Sequence, residues 1–219
     1  MKRNIIIFVL SGLLIVFGVS CNVISRNASI PTATPEIPSN WWIAWLAHPV
    51  CKPPCWQNIT PGVTSRDEAA SILKNTPGIV ITYNNIDGLS WNFGTKTEEG
   101  SVILSEDGII SGIWIGSRSD RKLLLKTIVA SYNEPKYLKP IECREGECAI
   151  ALVYPDEGMF LTVYIKYNGK VDTSPQFEIL PDSIIDRVYF IEPGIEKFQE
   201  YFIQDYGLPM KWKGYGEYP

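Results

Sequence analysis

Turn signals recur along this chain at short intervals, and they constrain its fold more than any other feature. Asp87-Gly88, Asp107-Gly108, Pro155-Asp156-Glu157-Gly158 and Tyr167-Asn168-Gly169-Lys170 each follow or separate a run rich in β-branched and aromatic residues. Such turns supply the tight reversal that joins neighbouring antiparallel strands. Residues 79–83, 88–93, 101–104 and 109–115 therefore read as an antiparallel meander, and 148–154, 159–167 and 183–191 as a second set of strands.

Each set is preceded by a helical pattern. Thr64-Ser65-Arg66-Asp67-Glu68 combines a hydroxyl cap with early acids, Ala69, Ala70, Ile72 and Leu73 form an apolar side, and Asn75-Thr76-Pro77-Gly78 stops the helix. A second helix opens at Ser119-Asp120, keeps its spacing through Leu123, Leu124, Thr127, Ile128 and Ser131, and breaks at Asn133-Glu134-Pro135. A third is expected over 194–205 behind Pro193, with Ile195, Phe198 and Phe202 on one face. The pattern predicts an α+β fold of two tandem helix plus antiparallel-meander units, 56–118 and 119–192, followed by a C-terminal helix and aromatic tail over 193–219. One continuous sheet shared by both units is the alternative.

The first residues carry an address. Met1-Lys2-Arg3 precedes an uncharged apolar run from Ile5 to Val19, and small Ser20 stands directly before Cys21. Two positive charges hold the start on the cytoplasmic side, as in an export signal. Gly18-Val19-Ser20-Cys21 resembles the lipoprotein box, with Gly18 where leucine is usual. Residues 1–21 thus read as a signal peptide ending at a lipidated Cys21, so the rest is expected outside the cytoplasm on a membrane lipid anchor. A retained helix over 5–24 would give the same topology. Residues 22–40, with Pro31, Pro35 and Pro38, read as a disordered tether, and 41–219 as the extracytoplasmic domain.

With one of the five cysteines at the processing site, Cys51, Cys55, Cys143 and Cys148 remain, and four cysteines allow three pairings. Local pairs are expected, because Lys52-Pro53-Pro54 bends the chain inside the first and Arg144-Glu145-Gly146-Glu147 forms a turn inside the second. The competing reading is a thiol or copper site built from His48, Cys51 and Cys55, a soft-ligand set within eight residues. Its spacing is not that of common zinc or thioredoxin-like sites.

Beyond Lys2 and Arg3, 18 basic residues face 24 acidic ones, leaving about six net negative charges and arguing against nucleic acid as a partner. His48 is the chain's single histidine, and no nucleophile elbow, phosphate loop or zinc-protease motif is present. The acid pairs Asp182 and Asp186, Glu106 and Asp107, and Asp156 and Glu157 sit mostly at turns, where solvation explains them. A hydrolase site formed only in three dimensions is the third reading, after the thiol one. Aromatic residues are the stronger binding clue: Trp41, Trp42, Trp45 and Trp56 near the first cysteines, and Trp212 and Tyr215 near the end. They either close the core or hold a partner.

The run Ile59-Thr60-Pro61-Gly62-Val63-Thr64-Ser65-Arg66-Asp67-Glu68-Ala69 resembles the opening of small outer-membrane assembly lipoproteins of the SmpA/OmlA type. Tandem helix-plus-sheet units are similar to the β-lactamase-inhibitor-protein fold. Cys51, Pro54, Cys55, Trp56, Ile59, Pro61, Gly62 and Thr64 together resemble uncharacterised predicted lipoproteins of Chloroflexota-like bacteria, which bring no known activity. These resemblances imply a non-catalytic binding or envelope-assembly module; no cofactor is expected, and the aromatic clusters point to another envelope protein or a glycan as partner.

Overall fold

The computed structural model describes residues 49–86, 88–93, 98–104, 107–117, 122–144, 146–166, 176–201 and 209–219, all within one unit spanning Pro35–Pro219. Helix α1 (Arg66–Asn75) begins as its sequence dictates: the Ser65 hydroxyl accepts from the Glu68 amide at 3.3 Å, and Asp67 and Glu68 complement the positive helix end. Four strands follow: β1 (Ile79–Asn85), β2 (Gly88–Phe93), β3 (Glu98–Leu104) and β4 (Ile110–Ser117). They form the expected antiparallel meander.

The second half departs from expectation. Leu123 and Leu124, read above as helical, form a short strand β5 (Leu123–Leu124), and helix α2 (Leu125–Tyr132) starts only after it. No side chain caps α2. Its first amides instead donate to chain carbonyls, Leu125 to Ser183 and Lys126 to Pro181, each at 2.9 Å. Those carbonyls satisfy helix-end donors that no local sequence signal could foresee. Then come β6 (Tyr137–Arg144), β7 (Glu147–Tyr154), β8 (Met159–Lys166), β9 (Phe177–Ile179) and β10 (Ile184–Ile191). Helix α3 (Ile195–Tyr201) and strands β11 (Met210–Lys211) and β12 (Gly216–Tyr218) complete the described elements. The rest of the expected third helix, from Phe202 on, lies outside the described residues.

The predicted pair of tandem α+β units is overturned by the strand order. One ten-stranded antiparallel sheet runs β1-β2-β3-β4-β10-β8-β7-β6-β11, with β5 also on β10. Strand β10 is the seam: Val188 is in register with Ile115 of β4 on one side and Leu161 of β8 on the other. The physical reason is that β10 needs cover on both edges and both faces. Its Ile185, Val188, Phe190 and Ile191 are buried, which a strand ending a separate unit could not achieve.

Sheet alternation divides the core. Ile150, Leu152, Leu161, Val163 and Val188 point to the face where α1 and α2 place Leu73, Leu125 and Ile128. Ala151, Val153, Phe160 and Ile191 point to the other, where α3 places Phe198. Strand β6 escaped the sequence reading because Pro140 demotes a strand pattern. It is tolerated at a register shift between Pro140 and Glu142, and among the described residues only the two-residue β11 lies beyond β6.

Candidate functional site

The first disulfide lies where the described chain begins. Cys51 and Cys55 are bridged, with Cα atoms 5.7 Å apart, and the Cys55 amide donates to Lys52 O at 3.0 Å. The sequence then makes a two-residue reversal: Trp56 and Ile59 exchange both backbone hydrogen bonds, at 2.9 and 2.8 Å, around Gln57 and Asn58 at positive φ. Positive φ at both central residues is the geometry of primed hairpin turns. The turn drives Trp56 into the core, where it is 0% exposed, stacks on Trp91 at 5.2 Å and meets Phe93 edge-on at 6.2 Å. Among the expected binding aromatics, Trp56 is therefore corrected to a core residue. Trp41, Trp42, Trp45, His48 and Cys21 lie outside the described residues.

Bridged sulfurs offer no thiolate, so in this form Cys51 and Cys55 present no metal or redox ligand. The second pair, Cys143 and Cys148, is bridged too, across residues in register at the closed end of the β6–β7 hairpin. Both local pairings expected from the sequence are present.

Beside the first disulfide is a cleft of about 540 Å³. Lys52 and Pro53 of the disulfide loop, Tyr132 and Asn133 at the end of α2, and Asp156 and Glu157 of the β7–β8 turn line it, among others. Lys136 pairs with Asp156, and the hydrogen bond to that carboxylate holds its pKa above the ordinary lysine value. Burial pushes the Tyr132 phenol up. No group of three or more metal-ligating side chains occurs among the described residues. Asp107 and Asp182 are placed at turns, where Asp182 pairs with Lys126 and Asp107 accepts the Ile109 amide at 3.1 Å, whereas Asp186 lies within β10. Glu106 lies outside the described residues.

The C-terminal aromatics fold back rather than project. Strand β12 pairs with β9, the Tyr218 hydroxyl donates to Gly214 O at 2.6 Å, and Trp212 packs against the main core. Tyr215 meets Trp212 edge-on at 5.6 Å and remains exposed.

A second aromatic surface was missed by sequence reasoning. On β4, alternation puts Ile113 and Ile115 into the core and Gly112, Trp114 and Gly116 on the opposite face. Trp114 is in register with Ser101 of β3 and Tyr189 of β10, and Ser101 with Ser90 of β2. The two serine hydroxyls are 3.0 Å apart. The Arg187 guanidinium lies over the Trp114 ring, 4.7 Å from its centroid, reaches the Tyr189 hydroxyl at 3.4 Å and pairs with Asp186. Burial, the largest influence on Arg187, pulls its pKa down, but the neighbouring hydroxyls and Asp186 outweigh it and the net shift is upward. A Cβ on Gly116 would come within 3.2 Å of Arg187 Cγ, so the glycine makes room for this arrangement. The legible signal was Gly112-Ile113-Trp114-Ile115-Gly116, a tryptophan on the polar side of a strand between glycines. Chemically the surface offers aromatic area, hydroxyls and a half-buried cation, a set suited to holding a polar partner.

No protein family and no curated protein matches the chain. Among solved structures it is similar to a DUF4309 family protein (YjgB) from Bacillus subtilis subsp. subtilis str. 168, at 10% identity and a TM-score of 0.40, over 63% of this chain and 84% of that one. At that score the likeness carries no argument about function. The assembly-lipoprotein, inhibitor-protein and Chloroflexota-type resemblances find no counterpart in these comparisons.

Proposed function

We propose that this chain is an extracytoplasmic lipoprotein, held on the membrane through Cys21, whose domain binds another envelope protein or a glycan without catalysis. The observation that carries this reading is the cysteine pairing. Cys51–Cys55 and Cys143–Cys148 account for four of the five cysteines, and structural disulfides belong to oxidising compartments. The cysteine left over stands directly after an apolar, charge-flanked leader. Residues 22–40 would let the domain stand up to about 60 Å from the lipid, at about 3.1 Å per extended residue. The Trp114, Arg187 and Tyr189 surface supports the binding half, since aromatic and arginine side chains dominate recognition energetics.

The test is the fate of Cys21. Mass spectrometry of the mature N-terminal peptide is expected to find acyl chains on Cys21, and Cys21→Ala to move the mature chain out of the lipid-anchored fraction. An unmodified Cys21 in a chain that begins at Met1 would overturn the anchor. For binding, Trp114→Ala with Arg187→Ala is expected to abolish retention of envelope extract on the immobilised protein while leaving its circular dichroism unchanged. Undiminished retention would remove that surface from the reading.

A further inference from the structure

We propose that the Cys51–Cys55 disulfide is a thiol-exchange site, through which this chain takes two electrons from a dithiol substrate. The two disulfides differ in access. Cys148 is 0% exposed and Cys143 packs against the main core, so the second bridge is shielded. Cys51 and Cys55 are both partly exposed, and Lys52 between them is fully so. Exchange begins when a thiolate reaches a disulfide sulfur, so access separates labile bridges from inert ones.

The first bridge also adds little bracing. It joins residues four apart in sequence, and closing so short a loop restrains the unfolded chain less than closing a long one. The chain on the Cys55 side is already fixed. Trp56 is wholly buried and exchanges two backbone hydrogen bonds with Ile59, and the Cys55 amide donates to Lys52 O at 3.0 Å. A Cβ on Gly158 would come within 3.0 Å of Pro54 Cβ, so the loop rests against the β7–β8 turn. Opening the bridge therefore leaves Cys55 anchored through its neighbours.

Local donors mark Cys51 as the sulfur that carries charge. The Asn58 amide donates to Cys51 Sγ at 3.4 Å, and Lys52 follows Cys51 in sequence. An N–H donor and a neighbouring cation favour thiolate over thiol. The positive-φ pair Gln57 and Asn58 is what brings that amide back to the sulfur. Access favours Cys51 as well. Pro49, Lys52 and Pro53, which flank it, line the cleft of about 540 Å³, whereas Pro54 and Trp56, which flank Cys55, are packed against the turn and the core. The cleft gives a thiol-bearing chain a place to lie beside Cys51.

The exchange balances in two steps. A substrate thiolate attacks Cys51 Sγ, a mixed disulfide forms, and Cys55 leaves as a thiolate that takes up a proton. The substrate's second thiolate then attacks its own sulfur in that mixed disulfide, and Cys51 leaves as the thiolate that Asn58 and Lys52 favour. The substrate ends as a disulfide, and its two electrons rest on the Cys51 and Cys55 sulfurs. This is one electron pair per chain, a stoichiometric step. The inference goes beyond the binding reading and needs neither Cys21 acylation nor the Trp114 surface.

The experiment uses the full exported chain in detergent and reads each cysteine by alkylation and peptide mass mapping. Under native conditions dithiothreitol, a small dithiol, is expected to open Cys51–Cys55 at least about tenfold faster than Cys143–Cys148. In the Cys55→Ser chain, Cys51 is expected to trap glutathione disulfide as a mixed disulfide, with an alkylation midpoint below the ordinary thiol pKa of about 8.5. In the Cys51→Ser chain, Cys55 is expected to react about tenfold more slowly. Opening of both bridges together, opening of Cys51–Cys55 only in denaturant, or equal reactivity of the two single-substitution chains would each overturn the proposal.

Discussion

Trp56 shows how a residue that looks functional becomes structural. It follows Cys55 directly, and sequence alone leaves it free to face a partner. The positive-φ pair Gln57 and Asn58 turns it inward onto Trp91 instead. Trp56→Ala would remove a wholly buried ring and is expected to cost about 3–5 kcal/mol in urea unfolding, with the loss of a stacked aromatic pair included. An effect under about 1 kcal/mol would mean that the ring is not core. Gly100 records the same packing from the other side. A Cβ there would lie 2.4 Å from the Trp91 ring, so Gly100→Ala must displace a fully buried tryptophan. Neither relation has a local signature, because each joins residues brought together only by the sheet.

At the level of elements, β10 decides the architecture. Its period-two pattern was readable as a strand, but its neighbours were not, since pairing with β4 spans some seventy positions of sequence. Hydrogen exchange is expected to be slowest for the amides of β10, β8 and β7 and fastest in β1 and β11, the two ends of the sheet. Slow exchange confined to β1–β4 would restore a separate first unit. The disulfide at the β6–β7 turn closes a short loop, so its effect on unfolded-chain entropy is small. Replacing Cys143 and Cys148 together by alanine is expected to lower stability by about 2 kcal/mol and leave the circular dichroism of the folded state intact.

On the scale of the whole molecule, a single sheet means that halves cannot stand alone. A fragment ending before Ile184 keeps β1 to β9 but loses the seam together with α3, β11 and β12, and it is expected to show neither a cooperative melt nor native β-sheet circular dichroism. Independent folding of residues 49–118 would contradict that dependence. Burial also ties stability to alkaline pH. It holds the Tyr154 and Tyr201 phenols well above their ordinary pKa of 10.0, and among the described residues the Tyr154 hydroxyl finds no hydrogen-bond partner. Because the folded-state values are the raised ones, their contribution is complete below about pH 10 and is lost as pH climbs from there through the folded values. Unfolding midpoints are therefore expected to fall above pH 10, and to fall less for Tyr154→Phe, which also removes an unpaired buried hydroxyl. Much was legible without coordinates. The Ser65 cap and Pro77 stop marked α1, Asp107-Gly108 and Pro155-Asp156-Glu157-Gly158 marked hairpins, and the bend and turn residues between the cysteines marked their local pairing, because each is an interaction among near neighbours in the chain. Tertiary structure alone decided that β10 joins two strand sets into one sheet, that Leu123 and Leu124 pair with it instead of extending α2, and that Arg187 settles on Trp114. Those outcomes depend on burial and register between segments far apart in sequence, and no local pattern encodes which distant surface will be nearest.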